Sequence, residues 1–512
     1  MQRTVASAAR RIRPPFFPSR ISLPLARHDH KHCLATPVRF AQAPNSPCVV
    51  RSDAQRPTIY ALSTPPGKAG VAVVRVSGPG ALDAWTHLLK PVRAPVPWKL
   101  QRCRIVHPES GDQLDDGLAV FFKGPKSFTT EDVLELHIHS GRAIIASVLG
   151  ALARLPYCRP AEPGEFTRRA FEGGRLDLTQ VEGLKDLVDA ETEGQRRMAL
   201  RAAGGSTRAQ FEQLRTEIIG CLAKIEALID FGEGEDIEDG VYEDARERAK
   251  NLRGIIQSYL QDNRRGEIMR TGVRLTIFGP PNAGKSSLLN FLAQREAAIV
   301  TSVPGTTRDI LELSLDIGGI PVVVSDTAGL RRTEDPVELI GVERARNAID
   351  AADVALCVVS CADLGGRDSA MELPTSVKAL ITDDTFILFN KIDLDAGDAT
   401  RLRGPHRWTT SLKTGHGTGE FLDGLAKALQ TKYALNDDSA FMHTPLITHA
   451  RHRVHLESAA QFIDAFLATS ADDIVIGAEE LRYAAKAVGK VSGLIDVEDV
   501  LDALFKDFCI GK

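Results

Sequence analysis

The pattern of hydrophobic and polar positions changes several times along the chain. From residue 58 to about 174, short apolar runs such as 71–76 are separated by Gly- and Pro-rich turns. This texture predicts a compact α/β domain. Further strands are expected at 117–122 and 133–138, and a helix at 142–154.

After residue 178 the apolar positions follow the helical period, and long antiparallel helices are expected as far as 229. An acidic stretch at 233–239 interrupts them, and another helix is expected over about 242–265. Strands and helices then alternate from 273 to about 429, which predicts a mostly parallel, doubly wound sheet. Helices are expected again at 450–468, 478–488 and 497–508.

The simplest architecture inserts one α/β unit into a helical domain. The expected segments are a basic N-terminal segment at 1–55, an α/β domain at 56–174, a first helical part at 175–270, an inserted α/β unit at 271–430 and a second helical part at 431–512. The predicted fold class is therefore α/β plus α.

The N-terminal segment has a composition of its own. Residues 1–55 carry nine basic residues and two acidic ones, which is typical of a mitochondrial transit peptide. A basic, disordered tail that stays attached is the alternative. Without this segment the net charge changes from −4 to about −11, so the body has no overall attraction to nucleic acid and any RNA contact needs a local basic patch.

Composition excludes several classes of protein. With 43% hydrophobic and 25% charged residues, the 512-residue chain is neither collagen-like nor wholly disordered. Its longest apolar runs are far below the roughly 20 residues that span a bilayer, so no membrane insertion is expected. The eight cysteines form no C-x-x-C pair and the histidines offer no metal-ligand set, which favours a reducing compartment without a disulfide framework or zinc site.

A phosphate-binding loop follows the strand at 275–278. The sequence from Gly279 to Ser286 matches the P-loop pattern, with a helix start after it. Its glycines let backbone N–H groups surround a phosphate at the helix N-terminus. Lys285 adds a cation to the β- and γ-phosphates, and the Ser286 hydroxyl is expected to bind Mg²⁺. An ordinary Gly-rich turn is the alternative, but the strand–loop–helix context is complete.

Three further motifs, in the order of small GTPases, identify the nucleotide as GTP. They are 305–309, 326–329 and the pair 390–393 with 411–413. Thr307 and Asp326 are expected to support Mg²⁺, and Asp393 to accept hydrogen bonds from the N1–H and 2-amino edge of guanine. The full nucleotide-binding set, with the neighbours of each motif, is Asn282, Ala283, Gly284, Lys285, Ser286, Ser287, Thr301, Ser302, Val303, Pro304, Gly305, Thr306, Thr307, Asp326, Thr327, Ala328, Gly329, Asn390, Lys391, Asp393, Ser411, Leu412 and Lys413.

Hydrolysis needs a group that is missing from the usual place. Leu330 follows Gly329, where Ras-like enzymes have the Gln that positions water. The amide of Asn282 could coordinate a monovalent cation in the place of an arginine finger, or it could cap the loop. The residues alone leave both interpretations open.

The chain as a whole, from about Thr58 to Lys512, resembles the tRNA-modification GTPases of the MnmE (TrmE) family and their mitochondrial counterparts. The resemblance rests on the GTPase motifs and on long strings elsewhere, at 64–67, 74–78, 127–135, 159–168, 175–180 and 508–512. It implies an N-terminal domain that dimerises and binds 5-formyl- or 5,10-methylene-tetrahydrofolate, and a helical domain interrupted by a Ras-like P-loop G domain. Arg75, Glu135, Arg175 and Lys512 fall on folate-contacting positions.

The resemblance also implies how hydrolysis proceeds. Potassium is expected to lie between Asn282 and the backbone carbonyls of Thr301, Val303 and Thr306. Glu338 falls on the position that orients water, although by itself it is an exposed carboxylate at a helix start. The catalytic set is therefore Glu338, Lys285 and Asn282.

Three positions leave open questions. Leu412 replaces a small residue beside the guanine pocket, Pro304 precedes Gly305, and Cys509 is either a buried structural thiol or a thiol near the one-carbon site.

The implied function is modification of C5 of the wobble uridine in mitochondrial tRNAs. The partners would be a FAD-containing protein resembling MnmG, a second copy of the chain, and tRNA, in the mitochondrial matrix. The group installed on the uridine is not determined by any residue. Two alternatives are an Era- or Der-like GTPase for organellar ribosome assembly, and a folate-binding module with a decayed GTPase, which the intact motifs oppose.

Overall fold

The structure is a computed structural model of the chain. It describes residues 57–92, 94–231, 240–262, 264–295, 299–301, 312–325, 346–364, 373–394, 402, 404–433, 445–493 and 511. All of them belong to the unit formed by residues 51–512. The expected helix at 497–508 and the segment 1–55 lie outside the described residues.

The first stretch forms a seven-stranded sheet. Its strands are β1 (Thr58–Leu62), β2 (Ala69–Ser77), β3 (Leu89–Lys90), β4 (Gln101–Val106), β5 (Gln113–Phe122), β6 (Val133–Ser140) and β7 (Cys158–Pro160). They lie in the order β3-β4-β5-β6-β2-β1-β7, and only the β1–β7 pair is parallel. The strands and the helix expected from sequence are confirmed here.

Alternation along the strands gives this sheet one apolar face. On β2, Ala72, Val74 and Val76 are buried, while Val71 and Arg75 lie on the other face. The helices α1 (Ala81–Leu88) and α2 (Arg142–Ala153) pack on the apolar face and complete its hydrophobic core. A third helix, α3 (Glu165–Glu172), follows β7.

The helical part is assembled from both sides of the inserted unit. Before it come α4 (Leu178–Asp189), α5 (Glu193–Ala203), α6 (Ser206–Phe231), α7 (Val241–Leu260) and α8 (Arg265–Thr271). The expected helix at 242–265 ends earlier, at Leu260, because Arg264 adopts a left-handed conformation (φ 57°) that an α-helix cannot continue through. Capping boxes at Asp177 and Thr192 fix where α4 and α5 begin.

The inserted unit contains the second seven-stranded sheet. Its strands are β8 (Val273–Phe278), β9 (Ile299–Thr301), β10 (Glu312–Ile317), β11 (Ile320–Ser325), β12 (Val354–Ser360), β13 (Phe386–Asn390) and β14 (Arg407–Thr409), and its helices are α9 (Lys285–Arg295), α10 (Thr375–Lys378) and α11 (Thr418–Lys432). The order is β14-β13-β12-β8-β11-β10-β9. The pairs from β14 to β11 are parallel, and β10 and β9 are antiparallel, so the predicted mostly parallel sheet is confirmed.

After the insertion, the chain returns to the helical part with α12 (Ala450–Ala468) and α13 (Ile474–Ser492). Phe211 and Ile256 from before the insertion share one buried cluster with Phe466 and Leu481 from after it. The segments before and after the inserted unit therefore share one hydrophobic core. Among the described residues, no helix is long and apolar enough to span a membrane.

Candidate nucleotide and cofactor sites

The phosphate loop connects β8 to α9 and is shaped by close backbone approaches. A Cβ atom at Gly279 (φ +147°) would lie 2.1 Å from the carbonyl oxygen of Val358 on the neighbouring strand β12. A Cβ atom at Gly284 (φ +106°) would lie 2.2 Å from Nδ2 of Asn390. Only glycine fits both positions, which explains why the loop carries them.

Lys285 lies at the start of α9 and turns back over the loop. Its Nζ donates hydrogen bonds to the carbonyl oxygens of Gly279 (2.9 Å) and Pro280 (2.7 Å). Burial lowers the pKa of Lys285 from its usual value, because the cation has lost part of its hydration. These neutral carbonyls compensate the charge weakly, so the ammonium group is suited to bind an anion placed in the loop.

Three polar side chains of the P-loop and the start of α9 are exposed to solvent. Asn282 adopts a left-handed conformation (φ 60°), and its exposed amide makes no hydrogen bond to another described residue. Ser286 and Ser287 are exposed in the first turn of α9, where the helix dipole favours an anion and hydroxyls are available to a cation. The loop therefore fits a phosphate chain with its metal ion.

Asn390 ties two loops of the G domain together. It is buried, its Nδ2 donates to the carbonyl oxygen of Ala283 (2.9 Å), and its Oδ1 accepts from the backbone N–H of Leu412 (3.2 Å). Both polar ends of this amide are engaged within the protein. Asn390 thus holds the phosphate loop and the loop at 411–413 in register.

Asp393 is the charged group of the base-binding side. Its Oδ1 accepts a hydrogen bond from the Ser411 hydroxyl (2.6 Å), which lowers the pKa of Asp393, and Lys413 and Lys391 act in the same direction. The carboxylate is therefore ionised at neutral pH and can accept from paired N–H groups. Leu412 directs its side chain to the edge of the G-domain core, where it is partly buried.

The remaining nucleotide residues lie outside the described part of the chain. Of the nucleotide-binding residues expected at 301–307, only Thr301 has a described backbone, at the end of β9. Residues 302–307 and 326–329, together with Glu338, are not described. The roles of Thr307 and Asp326 as Mg²⁺ ligands and of Glu338 in orienting water therefore remain predictions. The same is true of the backbone carbonyls expected to bind potassium.

On the first sheet, Arg75 and Glu135 are direct partners across β2 and β6. Nε of Arg75 donates to Oε1 of Glu135 (2.9 Å), and both side chains are largely buried. The guanidinium carbon lies 5.4 Å from the ring centre of Phe128 and 5.7 Å from that of Phe166. Nη1 and Nη2 of Arg75 form no hydrogen bond with any residue in the described ranges, so they remain available to a ligand.

The loop between β5 and β6 brings Arg175 to the same region. Nη1 of Arg175 donates to the carbonyl oxygen of Ser127 (2.5 Å), next to Phe128. A buried ion pair fixes this loop: Nη1 of Arg169 binds both carboxylate oxygens of Glu131, at 3.1 and 2.9 Å. Three of the four residues expected to bind folate therefore lie around one loop and one strand pair.

The chain end lies beside the same sheet. Ser63, which follows β1, donates its hydroxyl to the carbonyl oxygen of Gly511 (3.0 Å). Gly511 has φ +98°, and a Cβ atom there would lie 2.2 Å from the carbonyl oxygen of Leu62. Leu62 pairs with Val74, one residue from Arg75. Lys512 and Cys509 themselves are not among the described residues.

Sequence reasoning missed several supporting groups at this site. Phe166 and the Arg169–Glu131 pair are contributed by α3 and by the loop, far from Arg75 in sequence. Phe128 stands inside the string at 127–135, but nothing in that string indicates that its ring contacts an arginine. Only the strand register and the packing of α3 reveal these contacts.

The helical part holds a buried ionic cluster that the sequence did not indicate. Glu182 on α4 lies beside His449 and His452, and the three offer ligand atoms within 4.8 Å of one another. Arg451 already donates to both oxygens of Glu182, and Arg270 binds Asp186 nearby. These two arginines balance the two carboxylates, so a divalent cation would add uncompensated charge. We interpret this group as an ion-pair cluster that joins α4 to α12, not as a metal site.

The described cysteines are free thiols. Burial raises the pKa of Cys103 to about 11 and those of Cys158 and Cys357 to about 12. Such thiols are protonated and unreactive at neutral pH. Within the described ranges, the structure contains no disulfide.

Comparisons with known proteins identify the family to which the chain belongs. The family model described as "MnmE helical domain" matches residues 178–509, and that described as "GTP-binding protein TrmE N-terminus" matches residues 58–175. The tRNA modification GTPase MnmE of Parvibaculum lavamentivorans is 46% identical over 89% of this chain and 100% of its own length.

Two vertebrate relatives share a longer name. The "5-taurinomethyluridine-[tRNA] synthase subunit GTPB3, mitochondrial" of Danio rerio is 44% identical over 89% of this chain and 93% of its own length. Its counterpart from Homo sapiens is 41% identical over 92% of this chain and 98% of its own. The matches extend far beyond the G domain, and the chain therefore belongs to the MnmE/TrmE family of tRNA modification GTPases.

Proposed function

We propose that this GTPase is potassium-dependent and, together with a flavoprotein partner, modifies C5 of the wobble uridine of mitochondrial tRNAs with a one-carbon unit from tetrahydrofolate. The observation that carries the proposal is the coexistence, in one chain, of a guanine-nucleotide site and a separate Arg75–Glu135 site whose other guanidinium donors form no hydrogen bond to a described residue. The names of the vertebrate relatives, which are subunits acting on tRNA uridine in mitochondria, support the substrate, the need for a partner and the compartment.

The G domain binds GTP with Mg²⁺. Lys285 and the backbone of the phosphate loop hold the phosphates, Ser286, Thr307 and Asp326 hold the metal ion, and the ion neutralises phosphate charge. Asp393 accepts from the guanine edge. The loop geometry supports this assignment because the Lys285 ammonium group lies against the carbonyl oxygens of the loop and the first turn of α9 is exposed.

Potassium occupies the place of an arginine finger, held by Asn282 and by the carbonyls of Thr301, Val303 and Thr306. The exposed amide of Asn282, which forms no hydrogen bond to another described residue, supports this role over that of a structural brace, since a brace would hydrogen-bond within its own loop. Glu338 orients the attacking water.

The N-terminal sheet binds the folate. Arg75, Arg175 and Lys512 are cations suited to the carboxylates of the glutamate tail, and Glu135 is suited to the N–H groups of the pterin ring. The position of Gly511 beside β1 supports the inclusion of Lys512, because it brings the chain end next to β2. A second copy of the chain is proposed to dimerise through residues 56–174, which precede the helical parts at 175–270 and 431–512 and the G domain at 271–430.

The potassium proposal is tested by GTP hydrolysis in potassium and in sodium at equal ionic strength. We expect faster turnover in potassium, a difference that Asn282→Ala removes. Glu338→Ala should slow turnover and leave nucleotide affinity nearly unchanged, as expected for a group that acts mainly in the transition state. Equal rates of the unaltered protein in both salts would exclude the potassium site.

The folate proposal is tested by calorimetric titration of 5-formyltetrahydrofolate into protein that starts near residue 56. Binding should weaken after Arg75→Ala or Glu135→Ala, while GTP hydrolysis survives both changes. Well-folded, GTP-hydrolysing protein that binds no folate would remove the cofactor from the proposal.

The tRNA role is tested by mass spectrometry of wobble uridines after deletion of the gene. Loss of the C5 modification is expected. Normal modification together with defective ribosomal subunits would instead favour the Era- or Der-like alternative, a GTPase acting in organellar ribosome assembly.

A further inference from the structure

His137 stands beside Glu135 on the ligand-facing side of β6. Residues 135 and 137 point to the same side of the strand, because side chains alternate along it. The strand register places Val73 on one side of His137 and Leu118 on the other. The imidazole is therefore flanked by apolar side chains across the sheet, and its polar neighbours along the strand are Glu135 and His139.

One ring nitrogen of His137 is buried without a partner. Nε2 is shielded from solvent and forms no hydrogen bond within the described ranges. It lies 3.8 Å from Oε2 of Glu135, which is too long for a hydrogen bond. A buried polar atom without a partner is unfavourable, so a ligand that satisfies it gains affinity.

Glu135 has a carboxylate oxygen that complements this ring nitrogen as a hydrogen-bond acceptor. Its Oε1 accepts from Nε of Arg75, whereas Oε2 is the oxygen that faces His137. Oε2 can accept a hydrogen bond, and a protonated Nε2 can donate one. Two such atoms 3.8 Å apart suit two parallel hydrogen bonds to neighbouring atoms of one planar ring edge.

We propose that His137 is a specificity-determining residue of the folate site, reading the 4-oxo group of the pterin ring while Glu135 binds the adjacent N3–H. This inference rests on the proposed folate function and adds a residue to it. A 2-amino-4-oxopteridine carries the acceptor oxygen directly beside the N3–H donor, which matches the donor on His137 and the acceptor on Glu135. A 4-amino pteridine has a donor where the oxygen was and would oppose Nε2–H.

A purely structural role for His137 predicts something different. If the ring only supports the Glu135 carboxylate, its removal weakens every pteridine by the same factor. If Nε2 reads the 4-oxo group, its removal weakens 4-oxo ligands selectively. The ratio of affinities for matched 4-oxo and 4-amino ligands therefore separates the two roles, because any effect of Glu135 alone is present in every variant compared.

The test titrates protein that starts near residue 56 with folic acid and with aminopterin. These two ligands differ only in the group at position 4 of the pteridine ring. We expect the unaltered protein to prefer folic acid and His137→Phe to reduce that preference by roughly tenfold, whereas His137→Gln, which keeps an N–H donor, retains most of it. His139→Gln is the matched control. It changes the next residue on the same side of β6, whose Nδ1 is already paired with Asp115, and should leave the ratio unchanged.

The outcomes separate this inference from the function on which it rests. An unaltered protein that binds 5-formyltetrahydrofolate, with an affinity ratio that His137→Phe does not change, would overturn the role of His137 and leave the folate site intact. An unaltered protein that binds no folate at all would overturn the proposed cofactor. GTP hydrolysis, measured in each variant, should match the parent and shows that the protein is folded.

Discussion

The two seven-stranded sheets hold their polar sites in different places. In the G domain, the site lies at one edge, where the parallel strands β8 and β13 end and lead into the phosphate loop and the guanine motif. In the N-terminal sheet, Arg75 and Glu135 lie on the face of an antiparallel pair, near the end of β2 and the start of β6. One site is built from several short, contiguous motifs in loops, and the other is built from strand register.

This difference determines what each site depends on. The phosphate loop is shaped locally, by glycines that allow close approach to β12 and to Asn390. The N-terminal site depends on groups far apart in sequence, including the β5–β6 loop, Arg175 and Gly511. A slip of one residue between β2 and β6 would turn Arg75 toward the apolar core. The first site should therefore be sensitive to local changes, and the second to changes in distant supports.

The largest expected effect is on the local site, from Gly284→Val. Its Cβ would collide with Asn390, and the left-handed φ of +106° disfavours a β-branched residue. We expect GTP hydrolysis to fall by at least about 100-fold, since a 1 Å displacement of the loop is sufficient for such a loss. Gly419→Ala, which enters open space in α11, is the control and should hydrolyse GTP normally. If Gly284→Val hydrolysed GTP at the rate of the unaltered protein, the inference that glycines shape the phosphate loop would be wrong.

The second effect concerns a distant support of the N-terminal site. Glu131→Gln removes one of the two carboxylates that pair with the buried Arg169 and leaves Glu165 as the other, and we expect the free energy of unfolding of this domain to fall by about 1–3 kcal/mol. Folate affinity should fall with it, and GTP hydrolysis by the folded fraction should not. Chemical denaturation followed with folate titration measures both. Asp116→Asn breaks the exposed pair with Arg102 and should change neither quantity.

A smaller effect is expected from Asp393→Asn, which changes the hydrogen-bonding pattern at the guanine edge without disturbing the phosphate loop. GTP affinity should fall roughly 10- to 100-fold, and xanthosine triphosphate should bind in preference. Ser411→Ala removes the hydrogen bond that lowers the pKa of Asp393 and should give a weaker loss of the same kind. Competition between the two nucleotides measures the change, and unchanged preference in Asp393→Asn would refute the base-reading role.

The smallest expected effect is a pH dependence of stability. It arises from the ionic cluster of the helical part and does not involve either of the two sites. Burial lowers the pKa of His452 and lowers that of His449 to about 3, so both rings are neutral in the fold and take up protons when they unfold below about pH 6.5. Burial also raises the pKa of Asp186 to about 6, which acts in the opposite direction between about pH 4 and 6.

The expected net result is a loss of stability of about 1 kcal/mol per pH unit as pH falls from 6.5 toward 5. Thermal unfolding at several pH values measures the slope, and His449→Gln should reduce it. A stability that rises over this range would show that Asp186 dominates the cluster.

Sequence alone predicted the G domain far better than the groups that support the N-terminal site. The phosphate loop is a short, contiguous string whose backbone geometry follows from its glycines and its strand–loop–helix context, and the motif at 390–393 is a second contiguous string at the end of β13. Helical periodicity likewise predicted α12 with the same bounds as the structure shows, because the buried positions along this helix recur regularly.

The parts that sequence did not predict depend on long-range contacts. The pairing of Arg75 with Glu135 requires the register of β2 and β6, and the family resemblance, not periodicity, singled out these residues. The Arg169–Glu131 pair and the Glu182–Arg451 cluster join elements distant in the chain, so no local pattern could indicate them. Asn390 belongs to the predicted nucleotide-binding set, and the structure shows both ends of its amide engaged by the protein.

The central claim is that one reaction on tRNA uses both sheets. The most direct test is to complement a strain that lacks the gene with the unaltered protein, with Arg75→Ala and with Asp393→Asn, and to measure the wobble-uridine modification of mitochondrial tRNAs by mass spectrometry. We predict full modification with the unaltered protein and a severe loss with either variant, although the purified Arg75→Ala protein still hydrolyses GTP. Full modification by Arg75→Ala would contradict the account, because the site on the N-terminal sheet would then have no part in the reaction.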